Sequence, residues 1–202
     1  MYMNWRSKKC SKVIEGLTMK ILVLGNVGSG KTTLIQALAG LYAWEVVSID
    51  EYRRLLGDGS VKAELNTRRI FIDAISLDKN QFIECTGSGE VSDAIIARLT
   101  GSTEQIICVI LDVPKTTCVA RLKKRNWDIP FPIPTEKVSS FIERIDAKIR
   151  SGVMEKEWNR RQNTLVLKRK HNDSNDTAMI IQEIGRIFEV YDRLLEHRAD
   201  LC

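Results

Sequence analysis

The chain has 202 residues, 44% hydrophobic and 28% charged, with a formal charge of +5 and a pI near 9.0. That is the composition of one globular domain able to bury a core without staples, and it is too short for a motor ATPase carrying large accessory domains. The basic surplus suits anionic ligands without singling out nucleic acid, and no apolar run approaches the about 20 residues of a membrane helix. Cys10, Cys85, Cys108, Cys118 and Cys202 are scattered, without Cys-x-x-Cys spacing, so a reducing, cytoplasmic setting is expected rather than a disulfide framework.

Arg6, Lys8, Lys9 and Lys12 make residues 1–18 basic, and no apolar segment follows them before the first strand, so they do not read as a secretory signal. A flexible extension, or sequence upstream of a start at Met19, is expected there, although the composition leaves an organellar transit peptide open. A single domain is expected over residues 19–198. It opens with the apolar strand Ile21-Leu22-Val23-Leu24, followed by Gly25-Asn26-Val27-Gly28-Ser29-Gly30-Lys31-Thr32 and a helix-forming run from Thr33 to Leu41. The eight residues fit the phosphate-binding loop pattern Gly-x₄-Gly-Lys-Ser/Thr. Glycines let successive backbone N–H groups turn inward on a phosphate, and the helix N-terminus adds positive potential. Lys31, expected to be solvated until a phosphate arrives, then reaches the β/γ-phosphates, and Thr32 offers its hydroxyl to Mg²⁺. The whole segment through Thr33 is the expected nucleotide site.

Trp44 to Ile49 reads as a second strand ending at Asp50. A polar, helix-compatible stretch then extends to Leu77, broken by the turn signal Gly57-Asp58-Gly59. Gln81 to Cys85 is a third strand, closed by Thr86-Gly87-Ser88-Gly89, and Ser92 to Leu99 is expected to be helical. Ile106 to Asp112, mostly β-branched and apolar, is a strand covered on both faces. After Pro114 a helix runs from Lys115 to Arg125, and the prolines between Asn126 and Pro134 exclude regular helix. Val138, Phe141, Ile142, Ile145 and Ile149 repeat at helical spacing in a helix from Thr135 onward that also carries Arg144, Arg150, Arg160 and Arg161. Thr164 to Leu167 is a short last strand, and Ile180 to Leu194 marks one face of a closing helix. Strands alternating with helices give an α/β fold, a three-layer sandwich around a five-stranded, mainly parallel sheet. In such sheets ligands gather at the carboxyl ends of the strands.

The loop does not by itself fix the chemistry. No Asn-Lys-x-Asp for guanine and no Leu-Ser-Gly-Gly signature occurs. The second strand leads instead into Asp50-Glu51-Tyr52-Arg53. A carboxylate there can orient a hydroxyl and accept its proton, and an arginine three residues on can grip an anionic acceptor; Asp50 as a plain helix cap is the competing reading. His171 and His197 lack partner ligands at metal spacing and are expected on the solvated surface.

From Met19 to about Leu195 the chain resembles the small P-loop kinases: nucleoside-monophosphate kinases, shikimate kinase, and the polynucleotide-kinase and zeta-toxin group. The resemblance rests on the loop, on Ser48 to Arg53, on Thr86 to Gly89, and on Leu111-Asp112-Val113-Pro114 leading to Arg121-Leu122 and Arg125. It implies the strand order 2-3-1-4-5, ATP and Mg²⁺ as cofactors, and transfer of the γ-phosphoryl to a small-molecule or nucleotide acceptor. It further implies Asp50 near the acceptor hydroxyl or Mg²⁺, with Arg53, Gly87, Ser88 and Gly89 on the acceptor. Glu84, at the end of the strand beside the loop strand, would place Mg²⁺ through water, with Asp112 the rival acid. Asp50-Glu51-Tyr52-Arg53 is similar to the Asp-x-Tyr-Arg of polynucleotide kinase, whereas Thr86 to Gly89 is similar to the acceptor glycine segment of shikimate kinase. A 5′-hydroxyl polynucleotide kinase or a zeta-toxin-like kinase of a nucleotide sugar therefore stays open, as does an ATP-binding regulatory module without transfer. Nucleic acid is a partner only under the first of these. Arg121 and Arg125 resemble lid arginines that close over bound triphosphate, with a short lid near 121–135 and Arg121 held away until closure. Lys168 to Asp176 falls where relatives wrap adenine, or caps the last helix through Asp173, Ser174 or Asp176.

Overall fold

A computed structural model of the chain describes residues 18–100, 104–124, 129–130 and 137–199, with side chains to residue 193. The expected extension over 1–18 thus lies almost wholly outside the described residues.

Five strands, β1 (Met19–Gly25), β2 (Glu45–Ser48), β3 (Gln81–Cys85), β4 (Gln105–Asp112) and β5 (Thr164–Lys170), form one parallel sheet in the order β2-β3-β1-β4-β5. The central strands are apolar along their whole length because both faces are covered. On one side Leu22, Leu24, Ile83, Cys108 and Ile110 pack with Phe71, Ile95, Ile145 and Trp158. On the other, Ile21, Val23, Phe82, Ile107 and Val109 pack with Leu34, Leu38, Ile180 and Ile184. The helices supplying these faces are α1 (Lys31–Leu41), α2 (Ile49–Leu56), α3 (Val61–Asp73), α4 (Glu90–Leu99), α5 (Lys115–Lys123), α6 (Val138–Arg150), α7 (Val153–Asn159) and α8 (Ser174–Ala199).

Several boundaries differ from the sequence expectation for physical reasons. The helix from Thr135 onward is two helices, because Gly152 takes φ +69 and begins α7; Arg160 and Arg161 therefore come after α7 rather than continue α6. β5 runs three residues further than its apolar pattern, since Lys168, Arg169 and Lys170 keep ladder register with Ile110, Leu111 and Asp112. The turn signal at residues 57–59 does separate two helices. Ser60 Oγ accepts from the Ala63 N–H at 3.1 Å and starts α3. Asp173 Oδ1 accepts from the N–H groups of Asn175 (2.8 Å) and Asp176 (3.0 Å), so the cap reading of that loop is realised by Asp173. No described helix is long and apolar enough to cross a membrane.

Trp44 stacks on Phe82 with centroids 5.1 Å apart and meets Phe188 at 5.3 Å, joining the outer strand, the sheet and α8. Phe82→Ala should cost about 4 kcal/mol of unfolding free energy, because it opens a cavity in a fully buried layer. Urea unfolding followed by tryptophan fluorescence measures it, and a loss under about 1 kcal/mol would mean that the layer collapses to refill the space.

Candidate active site

The carboxyl ends of β1, β2 and β3 open into a cavity of about 520 Å³. Its floor is the loop between β1 and α1. Gly28 (φ +79) and Gly30 (φ +90) hold the left-handed conformations that turn successive amides the same way. Neither could carry a side chain. A Cβ on Gly28 would lie 2.8 Å from the Cys118 carbonyl oxygen, and one on Gly30 would lie 2.5 Å from His171 Cε1. α1 starts at Lys31 without a side-chain cap and without an acid in its first turn, so its free N–H groups and dipole face the cavity uncompensated. Val27, Gly28, Gly30, Lys31, Thr32 and Thr33 line the cavity, whereas Gly25, Asn26 and Ser29 lie behind them. Lys31 is not solvated as expected. It is 7% exposed, and its Nζ donates to the Asn26 carbonyl at 3.0 Å, along the loop's own backbone.

Strand order brings the acids into place. β3 lies between β2 and β1, with Glu84 opposite Ser48 on one side and Val23 on the other. Glu84 is buried; Oε1 accepts from Thr32 Oγ1 at 2.8 Å and Oε2 from Ser48 Oγ at 3.2 Å. Asp112 ends β4, on the far side of β1, and faces Lys168 Nζ at 3.9 Å. Glu84 is thus the acid that meets the loop hydroxyl. A carboxylate and two hydroxyls are hard oxygen donors of the kind that fits Mg²⁺. Cys85 also lines the cavity, but burial pushes its thiol up to about 11, so it is no nucleophile at neutral pH.

On the opposite wall Asp50 sits in the first turn of α2 and makes no cap bond. Its Oδ1 accepts from Arg53 Nη1 at 2.9 Å instead. Arg53 is bound further by Glu64 of α3, through Nε to Oε2 (3.0 Å) and Nη2 to Oε1 (2.7 Å). Glu64 Oε1 also accepts from Arg68 Nε at 2.7 Å, and Arg68 Nη1 donates to Glu90 Oε2 at 2.7 Å. Burial works against the Arg53 charge, but the hydrogen bonds and charge of Glu64, with Asp50, outweigh it and raise its pKa. Burial likewise opposes the Glu64 charge, and Arg53 and Arg68 outweigh it, so its carboxyl sits below the ordinary 4.5. Arg144 of α6, with its guanidinium 5.2 Å from the Phe141 ring centroid, completes this wall. Glu64 and Arg68 carried no recognisable motif. They enter the site only because α3 folds back against α2.

Ser88 and Gly89 line the cavity as expected, with Thr86. Gly87 does not. A Cβ there would meet Met154 Sδ at 3.0 Å and Leu24 Cδ1 at 3.1 Å, and its carbonyl accepts from Lys148 Nζ at 3.3 Å. Tyr52 also points away from the cavity, edge-on to Phe71 at 6.1 Å. Arg121 belongs to α5 and is not held away from the loop. Its Nη1 donates to the Gly28 carbonyl (3.2 Å) and its Nη2 to the Asn172 carbonyl (2.6 Å). Arg125 and Trp127 lie outside the described residues. Of the expected lid, Ile129 lines the cavity, and Pro130 abuts the α2–α3 turn so closely that a Cβ on Gly57 would fall 2.8 Å from Pro130 Cγ. His171, expected on the surface, is 4% exposed and packed against the loop.

Neither a protein-family model nor a curated protein matches the sequence. Solved structures do match in shape. Shikimate kinase from Acinetobacter baumannii in complex with shikimate superposes with TM-score 0.59 at 18% identity, over 88% of this chain and 96% of that one. A gluconokinase from Sinorhizobium meliloti gives 0.55 at 14%, over 86% and 96%. A chain of the Pnkp1/Rnl/Hen1 RNA repair complex gives 0.56 at 21%, over 69% of this chain and 46% of that one. The chain shares the fold of these structures. Within this fold, Lys31, Thr32, Glu84, Asp50 and Arg53 meet around one cavity, as their sequence positions anticipate, whereas Gly87 packs behind it.

The Arg53–Glu64 pair makes the α2–α3 wall acid-sensitive. Because the Glu64 carboxyl is depressed, its stabilisation is present above pH 4.5 and is lost as pH falls through the folded value. Glu64→Gln should destabilise the fold by about 2–3 kcal/mol at pH 7, since it leaves Arg53 short of a charged partner. It should also flatten the acid limb of a plot of unfolding free energy against pH. An unchanged acid limb would assign that limb to other carboxylates.

Proposed function

We propose that this protein is an ATP-dependent kinase that uses Mg²⁺ and transfers the γ-phosphoryl of ATP to a hydroxyl of a small anionic acceptor in the cytoplasm. The observation that carries the reading is the convergence, in one cavity, of the loop hydroxyl Thr32 on Glu84 and of Asp50 beside three arginines. Phosphoryl transfer asks the protein for positioning and charge stabilisation more than for covalent chemistry. In this reading the loop amides and Lys31 hold the β- and γ-phosphates. Thr32, and Glu84 through water, hold Mg²⁺, with Asp50 a further candidate; the ion, when bound, neutralises charge on the phosphate oxygens. Asp50 orients the acceptor hydroxyl and receives its proton. Arg121 serves the nucleotide from its place on the loop, and Arg125 is proposed as a further nucleotide-binding residue.

Arg53, Arg68 and Arg144 form the acceptor wall, with Ser88 and Gly89 at its base. Three guanidinium groups there favour a carboxylate or phosphate on the acceptor. The contact of Pro130 with the turn at Gly57, next to the cavity-lining Ile129, supports a small acceptor over a polynucleotide strand. Tyr52, part of the Asp-x-Tyr-Arg likeness to polynucleotide kinase, packs on Phe71 and lends that alternative no support. Buried free thiols at Cys85, Cys108 and Cys118 support a reducing compartment.

The test offers γ-labelled ATP with nucleoside monophosphates, hydroxylated carboxylates, uridine-diphosphate sugars and 5′-hydroxyl oligonucleotides. Label should pass to a small anionic compound. Transfer to the oligonucleotides alone would make the protein a polynucleotide kinase, and transfer to none would make it a binding module. With the acceptor in hand, Lys31→Ala should abolish turnover in a folded protein. Asp50→Asn should lower kcat by about 10²-fold or more while ATP affinity changes little. Arg144→Ala should raise the acceptor KM and leave ATP affinity alone. Arg144 is a cleaner probe than Arg53, whose removal also takes from Glu64 one of its two charged partners.

A further inference from the structure

His171 comes directly after β5 and lies against the outer face of the phosphate loop, 142 residues from the serine it touches. Its Nδ1 is 2.8 Å from the Ser29 carbonyl oxygen and its Nε2 is 2.8 Å from Thr177 Oγ1. A carbonyl only accepts, so Nδ1 carries the proton; Nε2 faces the Thr177 hydroxyl, whose single proton also has the Asp173 carbonyl within 3.2 Å. The ring also fills the space behind Gly30, where a Cβ would lie 2.5 Å from Cε1 and 2.7 Å from Nδ1.

Two neighbouring loop carbonyls are held in the same manner. Gly28 accepts from Arg121 Nη1 at 3.2 Å. Asn26 accepts from Lys31 Nζ at 3.0 Å and from the Ser29 N–H at 3.1 Å. A trans peptide sends its N–H away from its C=O, so a donor on the Ser29 carbonyl turns the Gly30 N–H towards the cavity. The same hydrogen bond polarises the peptide and strengthens that N–H as a donor. A loop that already holds its amides inward loses less freedom when an anion arrives.

We propose that His171 is a positioning residue for triphosphate binding: through Nδ1–H it fixes the Ser29–Gly30 peptide with the Gly30 N–H presented to phosphate before any ligand binds. The proposal rests on Gly25–Thr32 being the triphosphate loop. It separates His171 from a residue that only fills space, because its effect resides in one donor at one place.

The full chain with His171→Asn, His171→Gln or His171→Leu tests it. The amide nitrogen of asparagine reaches the place of Nδ1, that of glutamine reaches towards Nε2, and leucine fills volume without a donor. Amide hydrogen exchange over residues 25–32 is followed in the ligand-free proteins, and calorimetry gives Kd for Mg·ATP and for inorganic triphosphate. His171→Leu and His171→Gln should speed exchange of the loop amides and weaken both ligands about tenfold, as expected for one hydrogen bond. His171→Asn should stay within about twofold of the parent in both measurements. If His171→Asn loses as much as His171→Leu, the ring acts by packing and the proposal falls. It falls as well if His171→Leu keeps parental exchange and affinity. Should His171→Leu fail to fold, the contrast of asparagine with glutamine carries the same decision. A parent protein that binds neither ATP nor triphosphate would refute the loop reading instead, and the exchange measurement would still decide whether His171 fixes the peptide.

Discussion

The site depends on where the peptide groups of one eight-residue loop point. An anion is bound by N–H groups only if their carbonyls are satisfied elsewhere, since a buried carbonyl without a donor costs about 1–3 kcal/mol. Here the satisfaction comes from three directions. Lys31 closes the loop on itself, Arg121 reaches it from α5, and His171 reaches it from the end of β5. A fourth tie runs the other way: Asn26 Nδ2 donates to the Ile142 carbonyl of α6 at 2.9 Å, while its Oδ1 accepts from the Val27 N–H at 2.9 Å. Helices α5 and α6 and the end of β5 are therefore fastened to the same few peptide groups.

The wall formed by α2 and α3 is built on a different principle. α2 and α3 leave Leu55, Val61 and Leu65 largely exposed, and they meet through the side-chain chain Asp50–Arg53–Glu64–Arg68–Glu90. Ion pairs with an exposed end gain little in water, but the two pairs centred on buried Glu64 are shielded, and the one with Arg53 is bidentate. The loop side of the cavity is thus set by backbone geometry and the α2–α3 side by charge.

Local patterns in the sequence carried the loop, the strands and the break at residues 57–59, because glycine spacing and apolar runs act over a few residues. The longer reach of β5 was hidden, since its basic half is held by pairing with β4 and not by its own apolarity. Glu64 and Arg68 were hidden for a related reason: a helix-borne acid and base look like surface charge until another helix folds onto them. His171 shows the limit most clearly. Alone in a polar stretch it reads as solvated, and only the parallel alignment of β5 beside β4 delivers it to a loop at the opposite end of the chain. Arg121 was expected on a lid, away from the loop, because a proline-rich segment comes after it. The arginine belongs instead to α5 and is bonded to the Gly28 carbonyl.

Strand order also separates the two acids that the sequence left in competition: Glu84 meets the loop hydroxyl and Asp112 does not. Asp112 closes the longer apolar strand and would be the natural choice on pattern alone. The sheet order β2-β3-β1-β4-β5 puts it on the α5 side of the loop, beside Lys168. Glu84 stands between the ends of β2 and β1, where Ser48 is its cross-strand partner and Thr32 stands over the end of β1. Glutamate has one methylene more than aspartate, and that length lets a single carboxylate, starting from the buried end of β3, meet both hydroxyls. An aspartate at this position would sit deeper by one bond and would give up one contact or the other. Ser48 thus supplies the hydroxyl that satisfies the second oxygen of Glu84, which a buried carboxylate requires.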